Sequence, residues 1–452
     1  MPETMMLESD GPTLEQLNEA LDSESSEAII DLLAELHPAE VAHLLESLPP
    51  ARRELVWKHL DPDDFSEILA EADDAVRMDR LRTMAAPEVA QLAASVDPDD
   101  AVDILQDLPP DLVVEVLESM DAQDRERLSQ VLVYPEDTAG GLMNIDAIAV
   151  RADVTLEVVA RYLRLRGEIP ERTNRLMVVD RQNVYVGMLR LADLLTLEPE
   201  VMVSDCMDRE TGAIAADTPA GQVAQIFEQL NLLSAAVVDD AGRLLGRITI
   251  DDVVDVIREQ GEESLMHMAG LDHHEDMFAP VLAVARNRSL WLGVNLATAL
   301  LASWVIGLFE ATIQEVVALA VLMPVVASMG GIAGSQALTV VIRGMALGQV
   351  GRHNAWALIR HELAVGALNS LLWAVVVGLV ALYWFGNARL GLIVGIALIA
   401  NLVVAAIAGA LVPLTLRRLR IDAALAGGVV LTTVTDVVGF VTFLGLGALF
   451  LT

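Results

Sequence analysis

The chain has 452 residues, 54% of them hydrophobic, yet its formal net charge is −36. These values require a divided chain: residues 281–452 hold nine Arg against five acidic residues, net +4, and residues 1–280 hold 20 basic against 60 acidic residues, net −40. Such acidity argues against nucleic acid and anionic lipid as partners and suits cations. The single cysteine, Cys206, excludes internal disulfides and thiolate metal clusters. The start of the chain has neither a basic nor an apolar leader segment, so no signal peptide is expected and the acidic part is read as cytosolic.

Residues 1–135 contain a period of twelve. Leu36, Leu48, Leu60, Met84, Val96, Leu108, Met120 and Leu132 recur at 12 or 24, and Pro38, Pro50, Pro62, Pro98 and Pro110 follow two places behind. Each unit reads as a two-turn helix opened by proline and acidic residues, which suit a helix N-terminus. Helices this short are unstable alone, so the expectation is an all-α superhelical domain with one shared apolar strip. Its acidity is read either as a solvated scaffold or as a cation-binding surface.

Residues 136–257 are a duplicate. "MVVDRQNVYVGMLRLADLL" from Met177 and "AVVDDAGRLLGRITIDDVV" from Ala236 align without a gap, each predicting strand, turn, strand and a helix opening near Asp193 or Asp252. Upstream, "ADVTLEVVARYL" at Ala152 pairs with "ADTPAGQVAQIF" at Ala216. Two such α/β units in tandem resemble a CBS domain pair, a regulatory module for which ATP is the candidate nucleotide. No nucleophile–base pair is found, and an enzyme is not expected.

A connecting helix, assigned to residues 258–282, follows. Asp251, Asp252, Asp255, Glu259, Glu262 and Glu263 lie on this helix or just before it, and two to four share a face. Like charges so placed repel, so they are read either as a cation sensor or as a solvated face. His267, His273 and His274 lack metal-ligand spacing.

Residues 283–452 hold five apolar segments, near 289–309, 314–342, 362–384, 389–415 and 423–451, each long enough to span a bilayer. Arg286, Arg288, Arg343, Arg352, Arg360, Arg417, Arg418 and Arg420 fall on one side. By the positive-inside rule, that side is the cytosol, with Thr452 outside. The second segment, "MPVVASMGGIAGSQALTVVIRG", carries Pro324, Gly330, Gly331, Gly334, Ser335 and Gln336, which is read as tight packing or as a wall of a polar cavity. In the fifth, Asp436 is the only charge from Ala423 to Thr452, with Thr432 one turn before it. An ionised mid-membrane Asp costs about 2.5–3.5 kcal/mol on insertion scales. No Lys or Arg lies in the interior of an apolar segment to offset it, Arg389 only opening the fourth, and the oxygen-rich surroundings suit a hard cation or a proton.

These pieces together resemble the MgtE family of magnesium channels, across nearly the whole chain. The most specific motifs are "YPEDTAGGLM", "PVVASMGGIAGSQALTVVIRGMALG", "NLVVAAIAGALVPL" and "TTVTDVVGF". The resemblance implies a homodimer in the bacterial cytoplasmic membrane with one pore on the two-fold axis. It makes Asp436 the carboxylate that holds hydrated Mg²⁺, and the Thr432 carbonyl its helper. Ile332 stands where the family usually has Asn, which bears on selectivity. No phosphate-binding loop is present, so transport is expected to be passive, and cytosolic Mg²⁺ on the acidic domains is expected to close the pore. A proton-coupled or broader divalent transporter for Co²⁺ or Ni²⁺, and a membrane-anchored nucleotide sensor, are the competing readings.

Overall fold

The computed structural model describes residues 11–451 apart from 24, 171, 272–276 and 352, so His273, His274, Arg352 and Thr452 lie outside the described residues. The chain forms two compact units. The first holds the chain up to Gly261 with residues 274–279, and the second holds residues 262–273 and 280–452.

The first unit opens with short helices, among them Pro38–Glu46, Pro50–Trp57, Pro98–Gln106 and Pro110–Ser119. Proline stands at the first helical position of each, where its missing N–H costs nothing. Elsewhere other caps serve: the Glu88 carboxylate accepts from Ala85 N at 2.8 Å and Asp121 accepts from Gln123 and Asp124. The period of twelve is one helix plus its joint. Leu48, Leu60, Leu108 and Met120 are buried at the joints, and Leu36, Met84, Val96 and Leu132 pack partly buried on the same core. Pro62 departs from the pattern, opening a 3-10 turn, Pro62–Asp64, ahead of Phe65–Glu71.

Six strands follow: β1 Ala149–Arg151, β2 Arg175–Val179, β3 Tyr185–Arg190, β4 Ile214–Ala215, β5 Ser234–Val238 and β6 Leu244–Thr249. They form two three-stranded sheets, β1-β2-β3 and β4-β5-β6, each with one parallel and one antiparallel pairing. The duplication is visible at the turns. Asn183 and Gly242, matching positions, both have positive φ, and Asp180 and Asp239 each accept two backbone N–H groups around them. The two copies diverge at their last helix. The first copy yields only Asp193–Thr196, whereas the second yields Ile250–Met268. Pro199 explains the early stop, because it lacks an N–H and pushes the residue before it toward extended backbone.

The "YPEDTAGGLM" segment ties the helical part to the second sheet. Ala139 N bonds Thr218 O, Gly140 N bonds Ala216 O, and Asn144 exchanges both backbone bonds with Arg247, each at 2.8 Å. Glycine is needed at this seam: a Cβ on Gly246 would stand 2.6 Å from the Asn144 carbonyl.

The second unit contains five helices long and apolar enough to cross a membrane: Val281–Gly307, Ala318–Ala346, Ala355–Phe385, Ala388–Arg418 and Ala423–Phe450, here spans one to five. Span one begins eight residues before its apolar segment and includes Arg286 and Arg288. Hydropathy marks the hydrocarbon stretch, while the helix itself runs on and its arginines can snorkel to the interface. Span two begins later than expected, because the polar stretch Glu310–Glu315 forms a separate short helix. Span four is the most enclosed and packs on spans two, three and five. Small residues bring these backbones together. A Cβ on Gly378 would stand 2.9 Å from Gly391 O, and one on Gly409 would stand 2.6 Å from Gly334 O.

Gly246→Val should lower the stability of the first unit by about 1–3 kcal/mol through overpacking. Gly261→Ala, which meets nothing within 4 Å, should be neutral or raise it by about 0.5–1 kcal/mol. Thermal unfolding of the two variants beside the parent chain checks both.

Candidate functional site

An open groove of about 770 Å³ runs between spans two and five, lined by Ala327, Ser328, Gly331, Ile332, Ser335, Gln336, Thr339, Val340, Thr432 and Asp436. Of the residues singled out in the sequence, Asp436, Thr432, Gly331 and Gln336 meet here, with Ile332 exposed among them. Gly330 and Gly334 do not line the groove. A Cβ on Gly330 would overlap the Asn401 amide, and one on Gly334 would stand 2.8 Å from Leu431 Cδ1, so both serve close packing of span two. Pro324 lies within span two away from the groove.

Asp436 is half-buried, and its carboxylate makes no hydrogen bond or ion pair to any described residue. The hydroxyls around it are already committed as donors. Thr432 Oγ1 donates to Gly428 O at 3.0 Å, Thr433 Oγ1 to Val429 O at 2.7 Å, and Thr435 Oγ1 to Thr432 O at 3.1 Å. Of the three, only Thr432 lines the groove, and its oxygen keeps a lone pair for a cation or its water. Ser328, Ser335 and Thr339 add polar groups from span two. A complete inner shell of six waters occupies roughly 180 Å³ at ~30 Å³ each, less than the volume of the groove.

A second constellation lies within the first unit. Asp251 and Asp252, at the start of the helix Ile250–Met268, are electrostatic neighbours of Asp99 on the helix Pro98–Gln106, and Asp99 in turn neighbours Asp97 and Asp100. Burial, Asp97 and Asp251 push the Asp99 carboxyl up to about 6, and burial with Asp99, Asp97 and Glu71 pushes Asp100 up to about 7. Burial, Asp99 and Asp251 push Asp252 up to about 8. Partial burial together with Asp74, Asp255 and Glu136 raises Glu259 to about 7, and Asp255 is raised chiefly by burial. Asp252 has a local task as well, accepting from Thr249 N and Oγ1 at 2.9 and 3.1 Å as a helix cap.

Some positive charge enters this cluster. Arg172 pairs with Asp251, and Arg247 faces Asp97, Asp99, Asp251 and Asp252. Even so, Asp251 Oδ1 is buried with no hydrogen-bond partner, an acceptor suited to a cation. Among the described residues no three His, Cys, Asp or Glu side chains converge as an inner-shell cage. A cation held here would be held largely through its own water, as Mg²⁺ can be. Glu262 and Glu263 fall in the second unit, where Glu263 stands 3.7 Å from His267 Nδ1. The Asp97–Asp100 run was legible only as an acidic helix start, and nothing in the sequence set it opposite Asp251.

In the second unit, the end of the same helix meets span five. His267 Nδ1 lies 2.5 Å from Asp422 Oδ2, and Asp422 Oδ1 caps the span by accepting from Ala424 N at 2.7 Å.

Residues 323–446 match the family described as MgtE, divalent cation transporter. Residues 36–137 match the MgtE intracellular N domain, and 139–200 and 203–259 match the CBS domain. The magnesium transporter MgtE of Thermus thermophilus is 30% identical over 441 residues, covering 96% of this chain and 98% of that one. The magnesium transporter MgtE of Bacillus subtilis is 28% identical over 422 residues, 93% of each. A crystal structure of the cytosolic domain of the Mg²⁺ channel MgtE in complex with ATP is 29% identical, with a TM-score of 0.49, covering 54% of this chain and 99% of that chain. From its helical repeats through the CBS pair to the five apolar helices, this chain belongs to the MgtE family of magnesium transporters.

Proposed function

We propose that the chain is a passive Mg²⁺ channel of the bacterial cytoplasmic membrane, importing the ion and closed by cytosolic Mg²⁺. The observation that carries this reading is the unpartnered Asp436 carboxylate in the middle of span five, on a groove that Ser328, Ser335, Gln336, Thr339 and Thr432 also line. An ionised group there needs compensation from something that enters the groove. Two copies of the chain, grooves facing across a two-fold axis, would place two Asp436 carboxylates around one hydrated ion. A divalent ion offsets their repulsion better than a monovalent one. An inward-negative potential of 100 mV drives each divalent ion by about 4.6 kcal/mol, at ~2.3 kcal/mol per charge. Ile332 leaves an apolar patch on the wall, so selectivity rests on Asp436, Gln336 and the hydroxyls.

The work is divided along the chain: residues 1–135 and 136–257 sense, 258–282 connect, and 283–452 conduct. The acidic part lies in the cytosol, in keeping with Arg343, Arg360, Arg417, Arg418 and Arg420 at the ends of the spans. When Mg²⁺ is scarce, Asp97, Asp99, Asp100, Asp251 and Asp252 repel. Mg²⁺, held through its water by these carboxylates, relieves the repulsion and favours the closed state, which is the differential binding a population shift requires. The helix that begins with Asp251 and Asp252 ends with His267 on Asp422, the cap of span five. Asp436 lies about 21 Å further along that span at ~1.5 Å per residue. The CBS pair is the place for ATP, with binding to the full chain read by nucleotide titration.

Reconstituted in liposomes without a pH gradient, the parent chain should take up Mg²⁺. Asp436→Asn should lower the flux at least about tenfold, equivalent to ~1.4 kcal/mol. Flux that appears only with a pH gradient would favour proton coupling, and equal flux in both proteins would remove Asp436 from the ion path.

Asp99→Asn with Asp252→Asn should leave flux insensitive to trapped internal Mg²⁺. Retained inhibition would reject the sensor.

The raised carboxylates also set a pH dependence. Their folded-state values of about 6 to 8 lie above the unfolded values, so the stability they contribute is full below about pH 4 and is lost as pH rises through 6–8. In chelator, the unfolding midpoint of the first unit should fall from pH 5 to pH 8. Added Mg²⁺ should restore more of it at pH 8 than at pH 5.

A further inference from the structure

Span four carries a polar side chain near its centre that the ion path does not use. Asn401 has no exposed surface. Its Nδ2 donates to Val326 O of span two at 2.9 Å, and its Oδ1 is buried with no hydrogen-bond partner. Because the side chain is fully enclosed, a second copy of the chain cannot supply the missing donor. The amide sits in a slot cut by two glycines. A Cβ on Gly330 of span two would overlap Nδ2, and a Cβ on Gly439 of span five would stand 2.8 Å from it.

Leaving an amide oxygen desolvated and unpaired is costly, and an apolar side chain of the same shape would avoid that cost. Packing alone therefore does not account for an asparagine here. What the amide adds is one directed bond and a rigid planar body between two backbones. Those backbones carry the two walls of the groove: Gly330 precedes Gly331 on one wall, and Gly439 lies one turn beyond Asp436 on the other.

We infer that Asn401 is a positioning residue for ion selection, its buried amide fixing the separation of spans two and five and so the distance from Asp436 to the Gln336 wall. This inference rests on the groove being the ion path. A groove that holds a whole hydrated ion selects by fit, and Mg²⁺ keeps a rigid octahedral shell where Ca²⁺ has a larger and more variable one. A looser wall spacing should admit Ca²⁺ before it abolishes Mg²⁺ flux.

The test measures Mg²⁺ and Ca²⁺ uptake by the full chain in liposomes, with thermal unfolding alongside. Asn401→Ala should raise the Ca²⁺/Mg²⁺ flux ratio about tenfold, a 1.4 kcal/mol change in discrimination. Gly439→Ala, which wedges the spans apart, should move the ratio the same way. Asn401→Ala combined with Gly439→Ala returns bulk to the slot without the hydrogen bond, and should recover more than half of the lost discrimination. If Asn401→Ala does not fold, Asn401→Ser should show the same change in smaller degree. An unchanged ratio in variants whose melting temperature or maximal flux falls would overturn the inference and make Asn401 structural only. Asp436→Asn separates the two readings: its loss of flux with an unchanged Asn401→Ala ratio retires this inference alone, whereas undiminished flux in Asp436→Asn retires the groove.

Discussion

The hydrocarbon interior of a bilayer offers no water to a polar group, and the second unit is organised around that constraint. Hydroxyls along the spans turn back on their own helices: Ser289 to Ala285 O, Ser303 to Ala299 O, Ser370 to Ala367 O and Thr415 to Leu411 O. Asn401 reaches across to another span for its bond. Asp436 does neither. A carboxylate left without a partner at that depth needs polar company, and the groove between spans two and five sets Ser328, Ser335, Gln336, Thr339 and Thr432 along the same lining.

The groove in turn depends on span four. Glycine and alanine on this helix let spans two, three and five approach closely, with Gly391 against Gly378 and Gly409 against Gly334. Without a hydrophobic drive between helices in lipid, such backbone proximity is a main source of their association. Spans two and five pack on span four and also on each other, Gly334 against Leu431 and Gly427 against Leu338, and the groove runs along the outside of that seam. Its lining carries Asp436, Thr432, Gln336 and Ile332. Small residues in span two therefore divide their labour: Gly331 faces the groove, while Gly330 and Gly334 hold its wall in place.

In the first unit the controlling physics is different. Its helices are too short to persist alone, so each depends on the apolar strip it shares with its neighbours. That strip continues into the second sheet through Ala139 and Met143. The same seam brings the Asp97–Asp100 run to Asp251 and Asp252, where burial and repulsion raise the carboxyls of Asp99, Asp100 and Asp252. A cluster held with its charges in conflict is sensitive to anything that neutralises it, a proton or a divalent cation alike.

Much of this was legible in the residues themselves, because periodicity is a local property. The twelve-residue period, the gapless duplicate, the Asn183 and Gly242 turns and the five apolar segments each follow from spacing and side-chain chemistry. So does Asp436, since one charge in an apolar run is conspicuous without any partner. Helix ends were less legible: Pro199 cut one copy's last helix short, and the polar Glu310–Glu315 stretch moved the start of span two. What only the tertiary structure decided is which distant groups meet. Asp99 lies more than 150 residues from Asp252 and Asn401 about 70 from Gly330, and no period links them. The face each glycine of span two presents likewise depends on how helices pack, and packing is set by the whole surface rather than by any one motif.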